Sequence, residues 1–144
     1  MNDNPLQPDY PDLSGKTILI ADDMDENYIL LEIILKKTNA RLIWAKDGKE
    51  AVNIFLKDCK AADLILMDLK MPIMSGMEAI EIIHKLCPDI PIIAQTAFGF
   101  EFNRRETLAA GCVDFIEKPL SRSRVLILCS DILTEFGNEV EFLF

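Results

Sequence analysis

The stretch LILMDLKMPIMSGMEA, residues 64–79, decides the fold class of this chain. It begins with a short apolar run that ends in Asp68, which is typical of a strand covered on both faces of a parallel sheet. Pro72 and the pair Ser75-Gly76 then indicate a turn before a helix. The stretch therefore predicts a βα unit with Asp68 at the carboxyl end of its strand.

The same alternation of apolar runs and helical periodicity continues on both sides of this unit. Parallel strands need long crossovers, nearly always right-handed. We therefore predict an α/β fold, a flavodoxin-like, doubly wound five-stranded parallel sheet of order 2-1-3-4-5 in a three-layer α/β/α sandwich. The predicted strands are Thr17–Ala21, Arg41–Ala45, Leu64–Asp68, Ile92–Thr96 and Val113–Glu117. The predicted helices are Asp25–Thr38, Gly48–Cys59, Gly76–Cys87, roughly Phe100–Ala110 and Arg122–Phe136.

Composition limits the domain organisation and the partners. The 144 residues, half of them apolar, are enough for one domain with a core, which we place at residues 16–144 behind a proline-rich leader or linker at residues 1–15. A net charge of −9 argues against a nucleic-acid partner. No apolar run approaches the ~18 residues of a membrane span and no signal peptide is evident, so we expect a cytoplasmic location without membrane contact.

The cysteines carry no sign of a metal site. Their positions form no CxxC pair and have no histidine at ligand spacing, so we predict reduced core thiols rather than a zinc site or a disulfide framework. The cysteines are Cys59, Cys87, Cys112 and Cys129.

Polar side chains stand where four of the predicted strands end. They are Asp22 and Asp23, Asp68, Thr96, and Lys118. Ligands of open parallel sheets bind outside the carboxyl ends of the strands, where the strand order reverses. Each residue alone has an ordinary explanation, as a helix cap, a strand residue or a surface charge. Their convergence on one edge of the sheet favours a functional site.

The residue types at this edge suit phosphoryl transfer. Clustered carboxylates repel one another unless a cation lies among them, and an all-oxygen ligand set suits Mg²⁺. An ionised Asp68 beside that metal is a nucleophile that can form an acyl phosphate. Lys118 can stabilise the charge of the transferring group, and the hydroxyl of Thr96 can donate a hydrogen bond to it.

From Lys16 to about Phe136 the chain resembles the receiver domains of response regulators in two-component signalling. The motifs that carry the resemblance are ILIADD, LILMDLKMPIMSGMEA, IIAQTA and GCVDFIEKP. The resemblance implies that Asp68 accepts a phosphoryl group from a phosphohistidine. It implies a Mg²⁺ site whose ligands are Asp22, Asp23, Asp68 and the backbone carbonyl of Lys70.

The resemblance also implies how the signal is read. Lys118 would contact the phosphoryl group and precede a cis Pro119, Thr96 would turn toward the phosphoryl group, and Phe115 would be the switch aromatic. The domain would be a signalling module that catalyses only its own phosphorylation and slow dephosphorylation. Its partner would be a histidine kinase or a histidine phosphotransfer domain, with a homodimer through the fourth helix, fifth strand and fifth helix as a further option.

Two other protein classes share parts of this pattern. Haloacid-dehalogenase-like phosphatases carry DxD at the nucleophile, whereas Lys70 stands two residues after Asp68. A flavodoxin-like cofactor binder needs a phosphate-binding loop after the first strand, where the acids from Asp22 to Glu26 would repel a phosphate. Within the receiver family, Asn27 favours a receiver of a hybrid histidine kinase over a stand-alone one.

Two further features concern side chains outside this site. Phe98, Phe100 and Phe102 alternate after the fourth strand and are expected either in the core or on a partner surface. His84 is expected to be an exposed helix residue.

Overall fold

The computed structural model describes residues 10–97 and 104–135, in which strands and helices alternate. The strands are β1 (Thr17–Ala21), β2 (Arg41–Ala45), β3 (Leu64–Asp68), β4 (Ile92–Ala97) and β5 (Asp114–Lys118). The helices are α1 (Asp25–Lys36), α2 (Gly48–Lys57), α3 (Gly76–Leu86), α4 (Arg104–Ala110) and α5 (Arg122–Ser130), followed by a π-helical turn at Asp131–Glu135. None of the helices in these ranges has the length and apolar character of a membrane span.

The strands form one parallel sheet in the order β2-β1-β3-β4-β5, which confirms the predicted fold class. One core lies between the sheet and α1 and α5, and the other lies between the sheet and α2 and α3. The strand β3 shows why its sequence is a continuous apolar run: Leu64 and Leu66 face the first core, whereas Ile65 and Met67 face the second. Burial on both faces stabilises such a strand by ~1.5–3 kcal/mol for each large side chain.

Side-chain caps fix where three of the helices begin. The carboxylate of Asp47 accepts a hydrogen bond from the N–H of Glu50 at the start of α2, and the hydroxyl of Ser75 accepts one from Glu78 at the start of α3. Ser121 caps α5 in the same way. Each cap satisfies a backbone donor that the first helical turn leaves without a partner, so these residues mark the turns that follow the strands.

Packing begins before the predicted domain boundary at Lys16. Leu13 is fully buried in the core beneath α1 and α5, and its N–H donates to the carbonyl of Thr38. Tyr10 accepts a hydrogen bond from Arg122 at its hydroxyl oxygen. The division into a leader and a domain stays a prediction, but the end of the proposed leader is part of the packed structure.

The prediction of reduced core thiols was wrong for Cys59 and Cys87, which form a disulfide across 28 residues of sequence. The two residues follow the ends of α2 and α3, which pack side by side. Their proximity therefore arises from helix packing, which the sequence spacing does not reveal. Cys112 and Cys129 are free and buried, as predicted.

His84 also differs from its expected position, because it is half-buried rather than exposed. It packs against Gly111, whose φ of +127° lies in the left-handed region. A Cβ at position 111 would lie 2.4 Å from Cγ of His84, so no larger residue fits at this position.

We expect the cysteines to differ in their reaction with iodoacetamide. Burial raises the pKa of Cys112 and of Cys129 to about 12, so neither forms an appreciable thiolate at neutral pH. In the folded, reduced protein the exposed Cys59 should be labelled first, whereas Cys112 and Cys129 should be labelled only after unfolding. Peptide mass spectrometry checks the order, and labelling of Cys129 as fast as Cys59 would contradict it.

Candidate functional site

Three carboxylates meet at the carboxyl edge of the sheet. Asp22 follows β1, Asp23 is the next residue, and Asp68 ends β3. Each offers an oxygen atom, and these oxygen atoms all lie within 4.8 Å of one another. Asp22 is fully buried and Asp68 is 5% exposed, while Asp23 is the most open of the three. The predicted acids are therefore brought together at the point where the strand order reverses.

The ammonium group of Lys118 opposes this negative charge. Its Nζ lies 3.2 Å from Oδ2 of Asp68 and 3.7 Å from Oδ2 of Asp22. Lys118 is the last residue of β5, so the side chain reaches across β4 to the acids. The bond between Lys118 and Pro119 is cis, as expected.

The carboxyl of Asp68 is electrostatically perturbed. Burial raises its pKa above the ordinary value, and the nearby charge of Asp22 raises it further. Lys118 and the N–H of Lys70 act in the opposite direction, but burial prevails. Lys118 therefore does not fully offset the cost of burying the negative charge of Asp68. This remaining cost favours the binding of a further cation beside the carboxylate.

The loop between β1 and α1 is held by hydrogen bonds on both sides of Asp22. Its N–H donates to the carbonyl of Ala45 at 3.0 Å, and its carbonyl accepts from Nε1 of Trp44 at 2.8 Å. Oδ1 of Asp22 accepts from the N–H of Met24 at 2.9 Å. Oδ2 is buried and accepts no hydrogen bond within the described ranges. A buried carboxylate oxygen left in this way, beside two further carboxylates, fits the hard oxygen ligands that Mg²⁺ prefers.

The loop between β3 and α3 folds back against the acceptor strand. The N–H of Lys70 donates to Oδ1 of Asp68 at 3.1 Å, and the N–H of Gly76 donates to the carbonyl of Leu69. A Cβ at position 76 would lie 2.0 Å from the carbonyl oxygen of Asp68, which explains the glycine. In the same loop Ile73 is 79% exposed and has a φ of +70°, a strained conformation for a β-branched residue.

Thr96 and Phe115 lie on the other side of the site. Thr96 follows Gln95, the residue of β4 that pairs with Asp68 of β3. The hydroxyl of Thr96 donates to the carbonyl of Ala97. Phe115 is half-buried against the core of α2 and α3, and the guanidinium of Arg104 lies 4.7 Å from its ring centroid.

The three phenylalanines after β4 lie outside the described residues. They are Phe98, Phe100 and Phe102.

Sequence reasoning missed two groups near the acids. Trp44 contacts the loop after β1 through its indole. The available signal in the sequence was weak: an aromatic residue one position before the end of β2. Gln95 is fully buried in β4 beside Asp68, and its amide has no hydrogen-bond partner within the described ranges. A glutamine inside an otherwise apolar strand was the available signal.

The response regulator receiver domain family matches residues 18–129 of this chain. The chain belongs to this family. It is 38% identical over 113 residues to the chemotaxis protein CheY of Thermotoga maritima, with 78% of this chain and 92% of that protein covered. It is 34% identical over 111 residues to hybrid signal transduction histidine kinase I of Dictyostelium discoideum, with 72% of this chain and 6% of the kinase covered. The match to response regulator mcs4 of Schizosaccharomyces pombe likewise spans only 27% of that protein.

Solved receiver domains have the same architecture. The receiver domain of sensor histidine kinase PA1611 from Pseudomonas aeruginosa superposes with a TM-score of 0.75 at 29% identity, covering 83% of this chain and 98% of that one. That structure was solved with a magnesium ion coordinated in its active site cleft. The chain described here is accordingly a receiver domain of two-component signalling, and hybrid histidine kinases are among its relatives.

We expect Asp68→Asn to raise the melting temperature of the metal-free receiver domain at neutral pH. Because the pKa of Asp68 is raised by folding, the folded state binds a proton more tightly than the unfolded state, and ionisation of Asp68 costs stability above that pKa. The neutral amide removes this cost, so the gain should disappear as the pH falls below the pKa of an unfolded aspartate. Thermal melts in EDTA measure the effect. Asp89→Asn, at an exposed aspartate before β4, is the control and should not change the melt.

Proposed function

We propose that this receiver domain accepts a phosphoryl group from a phosphohistidine onto Asp68, with Mg²⁺ as cofactor, and that it signals through the resulting change of shape. The observation that carries the proposal is the arrangement of Asp22, Asp23 and Asp68 around a common point, with Lys118 within 3.7 Å of both buried acids. Its catalysis would be limited to its own phosphorylation and slow dephosphorylation.

The metal would be held by Asp22, Asp23, Asp68 and the backbone carbonyl of Lys70. When bound, Mg²⁺ would neutralise the carboxylates and the charge on the oxygen atoms of the phosphoryl group. Oδ2 of Asp22 supports this ligand set, because it is buried, accepts no hydrogen bond within the described ranges and has only the ammonium of Lys118 nearby, at 3.7 Å. The PA1611 receiver domain, which carries a coordinated magnesium ion, supports it by similarity.

In the transfer step a carboxylate oxygen of Asp68 forms a bond to phosphorus while the bond between phosphorus and the imidazole nitrogen of the donor breaks. The electron pair of the broken bond stays on the imidazole. The ammonium of Lys118, 3.2 Å from Oδ2 of Asp68, stabilises the charge on the transferring group. The N–H of Lys70 already donates to Oδ1 of Asp68 and holds the carboxylate in one orientation.

The change of shape would begin at Thr96. Its hydroxyl donates to the nearby carbonyl of Ala97, at 3.3 Å. Turning this weak contact toward a phosphoryl group on Asp68 would free space above the partly buried ring of Phe115. Movement of Phe115 would then alter the surface of α4, β5 and α5, where a partner or a second copy of the chain would bind.

The partner would be a histidine kinase or a histidine phosphotransfer domain, and we favour a receiver that belongs to a hybrid histidine kinase. The similarity to the Dictyostelium discoideum hybrid kinase supports this choice. The net charge of −9 supports a protein partner rather than a nucleic acid, and we place the domain in the cytoplasm.

Phosphorylation of the chain should depend on both Mg²⁺ and Asp68. With acetyl phosphate or phosphoramidate, the parent should gain the mass of one phosphoryl group in Mg²⁺ but not in EDTA. Asp68→Asn should gain none, because the nucleophile is removed, while the control Asp89→Asn should be modified like the parent. Intact-mass spectrometry checks this, and full modification of Asp68→Asn would refute the proposed acceptor.

Variants at Lys118 and Thr96 should distinguish phosphorylation of the domain from the conformational change that follows it. Lys118→Ala should slow phosphorylation by ~10²-fold or more, because it removes the group that stabilises the transferring charge. Thr96→Ala should still accept the phosphoryl group but should switch poorly, since its hydroxyl acts after transfer. Rates follow from mass spectrometry, and the switch follows from amide chemical shifts of α4 and β5 before and after phosphorylation. Equal, parent-like switching in both variants would contradict the assignment.

A further inference from the structure

We infer that Trp44 is a positioning residue of the metal pocket, acting through the backbone of Asp22. The inference rests on the proposed Mg²⁺-dependent function and adds a residue to its machinery. The indole Nε1 of Trp44 donates to the carbonyl oxygen of Asp22 at 2.8 Å. Trp44 itself belongs to β2 and is not among the carboxylates that would hold the metal.

The hydrogen bond from Trp44 to Asp22 continues the backbone hydrogen bonding between β1 and β2 beyond their last paired residues. The last paired residues of β1 and β2 are Ala21 and Ala45. The N–H of Asp22 still reaches the carbonyl of Ala45, but the carbonyl of Asp22 lies beyond the paired residues. The indole of Trp44 supplies the donor there. The backbone N–H and the carbonyl of Asp22 are therefore both hydrogen-bonded to β2, and this also restrains the peptide bond between Asp22 and Asp23.

The indole is itself held in place. The ring of Tyr28 stacks on Trp44 with centroids 4.1 Å apart and an interplanar angle of 4°. Tyr28 lies in the first turn of α1, where its N–H donates to the carbonyl of Met24. The ammonium of Lys46 lies 4.9 Å from the centroid of the Trp44 ring. One aromatic pair thus connects β2, the loop that carries Asp22 and Asp23, and α1.

Such a connection matters because the pocket gathers like charges. Asp22, Asp23 and Asp68 repel one another without a metal, and repulsion favours movement of the loop after β1 away from β3. A donor on the carbonyl of Asp22 resists this movement and keeps the ligand oxygens close to the geometry that Mg²⁺ requires. Groups that orient metal ligands in this way typically change metal affinity by ~10–100-fold.

Trp44→Phe tests the inference, because it removes the N–H donor and keeps an aromatic ring against Tyr28. We expect its Kd for Mg²⁺, measured by isothermal titration calorimetry, to rise by ~10-fold. Its phosphorylation by acetyl phosphate should be slow at low Mg²⁺ and should return to the parent rate at saturating Mg²⁺, since the missing group acts on metal binding and not on transfer. A merely structural role would not produce this dependence on metal concentration.

Tyr10→Phe is the matched control, since it also removes one hydrogen-bonding group from a ring, the hydroxyl that accepts from Arg122 at the start of α5. Its Mg²⁺ affinity should equal that of the parent. If Trp44→Phe does not fold, Tyr28→Leu carries the test: it keeps the indole donor but removes the stacked ring, and it should also weaken Mg²⁺ binding.

The parent offers a spectroscopic measurement. Trp44 is the single tryptophan of the chain, so its fluorescence can be followed without interference, and neutralisation of the neighbouring carboxylates should change it with the Kd found by calorimetry. A Trp44→Phe variant with the parent's Kd would overturn the inference and leave the proposed function intact. A parent that binds no Mg²⁺ would instead refute the proposed function.

Discussion

The structure depends on one electrostatic constraint, the presence of three carboxylates at a single edge of the sheet. Parallel strands end at the same edge, so residues that follow β1 and β3 meet there without any local signal to bring them together. Two of the acids are buried, and Lys118 from the opposite side of β4 approaches both. The apolar cores on both faces of the sheet supply the stability that tolerates this concentration of charge.

Much of the fold could be predicted because burial on both faces leaves a strong pattern. The bounds of β1, β2 and β3 agree with the apolar runs. The strand β5 begins and ends one residue later than predicted, and Val113, which continues the apolar run, is exposed. Apolar character alone does not tell a strand residue from its neighbour. The described part of α4 begins at Arg104, so the predicted start near Phe100 lies outside the described residues.

The residues of the candidate site that lie at the carboxyl ends of strands could be predicted from the sequence. Asp22, Asp23, Asp68 and Lys118 all stand at such ends, and the structure brings them together. Contacts that arise between elements were not predictable. The disulfide between Cys59 and Cys87 depends on how two helices pack, and the indole of Trp44 depends on how an edge strand meets a loop. Leu13 looked like part of a linker because its neighbours are polar, yet it fills the core.

The site draws its charged groups from the ends of the first, third and fifth strands, and this distribution links the assembly of the site to folding. Lys118 and Asp68 are 50 residues apart in the sequence. They lie on β5 and β3, and β4 lies between these two strands in the sheet. A chain in which β5 has not joined the sheet therefore lacks the ion pair of Lys118 with Asp68. A ligand that binds only the complete pocket stabilises the native state by about 2.7 kcal/mol at 100 times its Kd. Bound Mg²⁺ would thus stabilise the complete domain and not its partly folded forms.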